Sequence, residues 1–315
     1  MTDSPILGLH HVTATVDDAQ ADLNFAAGTL GLRLVKKTVN FDNHHVYHFY
    51  YGDERGTPGT IWTTFPYKGH GVRAGAKGVG QITVTSFSVP QGSLAFWERR
   101  LRDQKIPVRE GVARFGEESI VFPDPSGLTI ELVSTDRDVR QPWTSGSVPA
   151  GSAVRGVHSV TLNVRAAGPT VEFMTNVLGF SIVNEMEGRL RLGVNGDRPG
   201  QTMEVVHGTD AGRATNGLGT VHHVAMAVEN GDEQIRMQRR LLRLGYQVTE
   251  VRDRQYFTSI YFFEPGGVLF EIATVPPGFM IDETLPCLGR DLKLPPWEEP
   301  NRQDIESGLA SVALP

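Results

Sequence analysis

Four stretches of this chain open on an alternating apolar and polar run and close, about 50–60 residues later, on a glycine-led apolar run, a recurrence that limits the fold more than any single motif. The openings are GLHHVTATV (8–16), GVGQITVTSFSV (78–89), GVHSVTLNV (156–164) and GTVHHVAMAV (219–228). The closings are PGTIWTTF (58–65), SGLTIELV (126–133), PGQTMEVV (199–206) and GGVLFEIAT (266–274). Alternation with period two predicts half-buried strands. Between opening and closing, repeats one and three share a helix end of the form Phe-x4-Leu-Gly-apolar, FAAGTLGL from Phe25 and FMTNVLGF from Phe173. Repeats two and four carry longer basic helices, LAFWERRLRDQKIP and EQIRMQRRLLRLGY, with apolar residues at helical spacing. Each repeat thus reads as strand, helix and three strands, and alone it would expose an apolar sheet face, so the modules must pair. The expected class is α+β, four βαβββ modules in two halves at 1–134 and 155–275. A Pro-, Gly- and Ser-rich linker spans 135–154 and an irregular tail spans 276–315.

Composition excludes several functions. Of the 315 residues, 39% are apolar and 21% charged, a globular balance, and the net charge of -6 with scattered Lys and Arg offers no field for nucleic acid. No apolar run approaches the length of a membrane span and the N-terminus has no signal-type segment, so a cytoplasmic protein without a membrane partner is expected. The single cysteine, Cys287, excludes an intramolecular disulfide and a thiolate-rich metal cluster. The tail around it offers either a cover over a cavity or a contact between copies, which leaves a homo-oligomer open.

The dipeptide His-His stands in two of the openings, His10-His11 and His222-His223, and Glu271 stands in the last closing. Two histidines and a carboxylate from separate strands are the donor set of a facial metal site with open positions, as in non-haem Fe(II) oxygenases. Alternation decides which histidines share a face. His11 lies with Thr13 and Thr15, and His223 with Ala225 and Ala227, on faces small or polar enough for a ligand. His10 and His222 lie with Val and Met residues of core type.

The module order and the string LHHVT resemble the vicinal oxygen chelate (glyoxalase/bleomycin resistance/dioxygenase) superfamily, over residues 7–275, and the tail LGRDLKLPPWEEPNRQDIE resembles that of ring-cleaving, hydroquinone-type extradiol dioxygenases. The resemblance implies paired modules enclosing cups. Aligned at the residue before Val or Ile, the openings put His11, Gln81, Ser159 and His223 in one column. Aligned four residues after glycine, the closings put Thr63, Glu131, Glu204 and Glu271 in another. A cup from repeats one and four then holds a metal with His11, His223 and Glu271, with Thr63 leaving the fourth corner to substrate. The resemblance implies the same ligands, with Fe(II) as the metal and Mn(II) as its substitute, and a small aromatic substrate cleaved with O2. It also implies that His10 and His222 lie near the substrate, which requires bent strand starts, and that Thr13, Arg254 and Tyr261 assist. Arg252 and Tyr256 are further helpers in the same stretch.

Two other readings compete. The second cup, with Gln81, Glu131, Glu204 and nearby His158, suits a glyoxalase-type lyase acting on a thiol adduct if a bulge restores register. A non-catalytic binder of aromatic compounds is the third class, and the His11, His223 and Glu271 set argues against it. The string NHHVYHFYYGD looks metal-rich, yet its Val, Tyr and Phe favour a strand that splits His44, His45 and His48 between faces. For them a solvent or cup-lining role is expected.

Overall fold

The computed structural model describes residues 4–186, 188–208 and 212–314. Module one runs β1 (Ile6–Val16), α1 (Ala19–Leu23), β2 (Arg33–Asn40), β3 (Asn43–Gly52) and β4 (Ile61–Pro66). Module two runs β5 (Gln81–Pro90), α2 (Leu94–Asp103), β6 (Arg109–Glu110), β7 (Glu118–Pro123) and β8 (Thr129–Thr135). Module three is β9 (Gly156–Val164), α3 (Ala167–Asn176), β10 (Ser181–Met186), β11 (Arg189–Gly193) and β12 (Thr202–His207). Module four is β13 (Thr220–Val228), α4 (Gly231–Arg243), β14 (Arg252–Asp253), β15 (Thr258–Phe263) and β16 (Leu269–Thr274). All four modules keep the βαβββ order.

The strands form two eight-stranded sheets, β14-β15-β16-β13-β1-β4-β3-β2 and β10-β11-β12-β9-β5-β8-β7-β6. Each sheet takes one module from each half of the sequence. Modules one and four meet along antiparallel β1 and β13, modules two and three along β5 and β9. The repeated Phe-x4-Leu-Gly element packs its helix onto the sheet in the same way twice. Leu30 N–H donates to the Phe25 carbonyl (2.9 Å) and Leu178 N–H to that of Phe173 (3.3 Å). The following Gly31 and Gly179 have φ of +72° and +79°, a conformation that a residue with a Cβ resists. Phe25, Leu30, Phe173 and Leu178 join Trp97, Leu162, Met226 and Phe262 in one buried core.

The stretch between the halves carries no helix, and it is tied down. Arg140 donates to the carbonyls of Gly59 (2.6 Å), in the turn before β4, and Val157 (2.8 Å), in β9, with Asp138 neutralising it at 2.5 Å. The tail departs from the irregular form expected. Between Pro300 and Pro315 the chain has no proline, and Arg302–Gly308 forms a helix, α5. Its Ile305 is buried beside Val39 and Leu294, and Arg302 pairs with Glu299 and Glu306. Upstream of this helix the tail packs Phe279 on Tyr50 and Tyr256, and its Asp282 and Glu283 hold the buried Lys36. Among the described residues no helix is long and apolar enough to cross a membrane.

Candidate metal centre

The first sheet brings His11, His223 and Glu271 together in its concave face, all three buried. His11 Nε2 lies 3.3 Å from His223 Nε2, and Glu271 Oε2 lies 3.3 Å from His11 Nε2 and 2.8 Å from His223 Nε2. The register explains how adjacent histidines serve one site. Along β1 and β13 the pairing passes from Leu9–Met226 to His11–Ala225 and from Thr13–His223 to Ala14–Val221. His10 and His222 are therefore the extra residues of two β-bulges, which bend both strand starts. Strict alternation would have sent these rings to the core; the bulges turn them back onto His11 and His223.

The bulged rings fix the tautomers of their neighbours. His10 Nδ1 lies 2.8 Å from His11 Nδ1, and His222 Nδ1 lies 2.7 Å from His223 Nδ1. The Thr274 carbonyl accepts a hydrogen bond from the His10 ring. With that proton on Nε2, His10 Nδ1 is an acceptor, so His11 carries its proton on Nδ1 and turns a lone pair toward Glu271. Burial, then His11, pushes His10 down to about 3, and burial, then His223, pushes His222 down to about 3, so both stay neutral. Burial also holds His223 below the ordinary imidazole value against the pull of Glu271.

Glu271 Oε1 accepts from Ser259 Oγ, but Oε2 has no hydrogen-bond partner despite two imidazoles in reach. A buried carboxylate oxygen that two imidazole nitrogens approach without a well-formed hydrogen bond is costly. A divalent cation is the group that fits the donor set.

A cavity of about 300 Å3 opens over the triad, lined by His48, Tyr50, Phe65, His222, Arg254 and Tyr261 among others. Arg254 Nε donates to Tyr261 Oη (3.2 Å) and its terminal nitrogen to Asp42 Oδ2 (3.0 Å). Burial, reinforced by Glu271, pushes the Tyr261 phenol up against the pull of Arg254, which keeps its proton in place. Thr13 and Thr63 were expected beside the substrate but are fully buried. Thr63 donates to Thr13 (2.9 Å) and meets His48 Nε2 (2.9 Å), and their short side chains end behind the wall that His48 forms. His10 likewise lies behind His11, whereas His222 reaches the cavity. Arg252 lines the cavity; Tyr256 turns away from it to donate to Asp282 (3.1 Å). Of the histidine-rich string, His48 lines the cup and His44 and His45 face the tail. Ser259 went unnoticed in the sequence, although repeats two and four both read Ser-Ile-x-Phe, with Ser119 and Ser259 at the matching place.

Among the described residues the second sheet does not form a competing metal site. Ser86 pairs with Glu131, where Thr13 pairs with Thr63 and Ala225 with Glu271, so Val84 and not Gln81 matches His11. The opening of repeat two carries three residues more before its register begins, which misled the column. Its glutamates are already paired. Arg114 donates to both oxygens of Glu131 (2.7 and 2.6 Å) and to Glu204 (2.9 Å), and Arg191 joins Glu204 (2.7 Å) to Glu117 (2.5 Å). His158, expected one place out of register, sits on a bulge and meets Glu117 at 3.1 Å.

Paired βαβββ modules around an open two-histidine, one-carboxylate site define a class of metal-dependent enzymes and binders. The chain belongs to the Glyoxalase/Bleomycin resistance protein/Dioxygenase superfamily, whose model matches residues 8–132 and 156–272. It is 44% identical over 303 residues to MhqO of Bacillus subtilis (strain 168), named as a ring-cleaving dioxygenase, with 96% of each chain covered. It is 36% identical over 304 residues to the chlorohydroquinone/hydroquinone 1,2-dioxygenase of Sphingobium indicum, covering 95% of this chain and 94% of that one. The crystal structure of a protein named as a dioxygenase from Bacillus subtilis superposes with a TM-score of 0.93 at 42% identity, covering 98% of both chains. Glyoxalase I from Zea mays, at 13% identity and a TM-score of 0.63 over 85% of this chain and 92% of that one, shares the fold.

Proposed function

We propose that the protein is a ring-cleaving dioxygenase that opens a hydroquinone-type dihydroxylated aromatic with O2, using Fe(II), for which Mn(II) can substitute, held by His11, His223 and Glu271. The observation that carries this reading is the buried, unpartnered Glu271 Oε2 facing the Nε2 atoms of His11 and His223. The ring-cleaving relatives, similar over nearly the whole chain, support the reaction class. Iron bound there would supply the electrons that O2 activation needs and would acidify a phenol hydroxyl.

The chain's own residues do the rest. The aromatic walls Tyr50, Phe65 and Phe257 suit a flat ring in the cavity. His48, kept neutral by burial and bonded through Nε2 to Thr63, is the imidazole at the wall that can accept a phenol proton. His222 spends Nδ1 on His223 and presents its other nitrogen as a donor to a ring oxygen. Tyr261, with Arg254 bonded to its oxygen, donates to negative charge that develops during cleavage. A cytoplasmic setting and a homo-oligomer complete the reading.

The test is O2 consumption by protein loaded anaerobically with Fe(II), offered methylhydroquinone, catechol and a methylglyoxal–glutathione adduct, and repeated on His223→Ala. Uptake with the hydroquinone that vanishes in the variant is expected. Uptake with catechol alone sinks the hydroquinone assignment, and adduct turnover under Zn(II) or Ni(II) without O2 sinks the dioxygenase.

A further inference from the structure

Away from the cavity, a second set of nitrogen and oxygen donors converges where β3 meets the tail. His44, His45 and Asp304 each offer a ligand atom within 4.8 Å of the others. His45 Nε2 lies 3.1 Å from Asp304 Oδ2 and the two imidazole centroids are 4.6 Å apart. A fourth donor stands beside them, for His44 Nδ1 lies 3.5 Å from Glu298 Oε2. That oxygen is buried and has no hydrogen-bond partner, the condition already met at Glu271 Oε2. An imidazole in reach of a desolvated carboxylate oxygen that it does not hydrogen-bond leaves an uncompensated charge, which a cation between them would offset. The backbone allows this approach. A Cβ on Gly308 would come within 2.5 Å of the His45 ring, so the glycine lets the end of α5 seat on it.

We propose that His44, His45, Glu298 and Asp304 form a second divalent-metal site, for an ion of the Zn(II), Co(II) and Ni(II) class. His44, His45 and Asp304 converge as they stand, and Glu298, in reach of His44, is the fourth donor that closes a tetrahedral set on ion binding, with no position left for substrate, so the site is structural. What it holds together is specific. Glu298 and Asp304 belong to the tail, while His44 and His45 begin β3, directly after the turn at Phe41 and Asp42 that forms one wall of the cavity. Asp42 accepts from Arg254, and Phe41 packs edge-on against Trp297 of the tail (5.6 Å). A metal at this place staples the tail to the turn that positions Arg254.

The experiment uses full-length, metal-free protein titrated with Co(II) and followed by visible absorption. Wild type should take up two equivalents. His223→Ala should keep one, with the intense bands of a tetrahedral ion, and His44→Ala/His45→Ala should lose that one and keep the other. Zn(II) at roughly a hundred times its Kd should slow tryptic cleavage at Arg302 by up to about a hundredfold, and not in the double variant. No equivalent bound by His223→Ala, or an equivalent that His223→Ala still binds after the loss of both His44 and His45, overturns the proposal. Because His44 and His45 are partly exposed and outside the catalytic cavity, neither result depends on the dioxygenase reading.

Discussion

The two sheets are built from the same module and solve the same electrostatic problem in different ways. Each buries a glutamate on a closing strand and holds one of its oxygens with a serine at the same place, Ser259 for Glu271 and Ser119 for Glu131. In the first sheet the other oxygen faces His11 and His223, and nothing in the protein neutralises it. In the second, the places of those histidines hold Val84 and Ser159, and Arg114 reaches in to take both oxygens. Arg114, Arg189 and Arg191 there balance Glu117, Glu131 and Glu204. A buried carboxylate demands a cation in either cup. A guanidinium spends its donors on its partners and leaves no open position, whereas a metal bound by three ligands keeps some for substrate. On the proposed function, the difference between a reactive cup and an inert one rests on a few side chains over an unchanged backbone.

The comparison can be broken most sharply at Thr63, which occupies in module one the place of Glu131, Glu204 and Glu271. Thr63→Glu should add a second carboxylate, and a fourth ligand, beside the triad, long enough to reach past the threonine's buried place and close a position left open for substrate. Metal content should hold or rise while O2 uptake falls below detection, read by metal analysis and an oxygen electrode on one preparation. Metal-bound Thr63→Glu protein with wild-type turnover would mean that this corner is not part of the reacting space.

The next effect belongs to the inert cup. Arg114→Met leaves Glu131 and part of Glu204 buried without a counter-charge and should destabilise the fold by about 3–5 kcal/mol. Adding Glu131→Leu removes the stranded charge and should recover most of that loss, since the remaining Arg189, Arg191, Glu117 and Glu204 still balance. Urea denaturation of both variants checks this, and O2 uptake per folded molecule should match wild type in each. A smaller loss in the single than in the double variant would contradict the network's role as a neutralising plug.

How much of this was legible follows from which signals are periodic. Element order was readable because alternation and helical spacing recur four times, and the triad because comparing repeats isolates the two modules that supply histidine. The bulges at His10 and His222 were not readable, since a bulge changes register without changing residue type. The same shift in β5 hid the match between Val84 and His11. Arg114 and Arg191 were invisible for another reason. They lie outside the aligned openings and closings, and only the sheet brings them onto Glu131 and Glu204. The helix Arg302–Gly308 escaped because its support comes from Val39 and Leu294 on other elements and from charge pairs, not from an amphipathic repeat.

The smallest effect is a difference in acid sensitivity between the cups. Burial pushes Glu117 up, but His158 and Arg191 outweigh it and hold its carboxyl down to about 2, and Glu131 and Glu204 are lowered by their arginines in the same way. A carboxyl depressed in the folded state binds fewer protons there than in the unfolded chain, so its contribution is complete above the unfolded value and lost as pH falls through the folded one. For Glu117 that window runs from the ordinary glutamate value of about 4.3 down to about 2. Stability from urea melts should therefore fall with acidification across this range, and Glu117→Gln should flatten part of the slope while leaving stability above pH 6 almost insensitive to pH at this position. His222→Gln removes an imidazole that burial holds neutral down to about 3, so it should flatten the slope between the ordinary histidine value and about 3 and leave the fall from about 3 to about 2 unchanged. A fall between about pH 3 and 2 that persists in Glu117→Gln and disappears in His222→Gln would assign the acid-sensitive charges to the wrong cup.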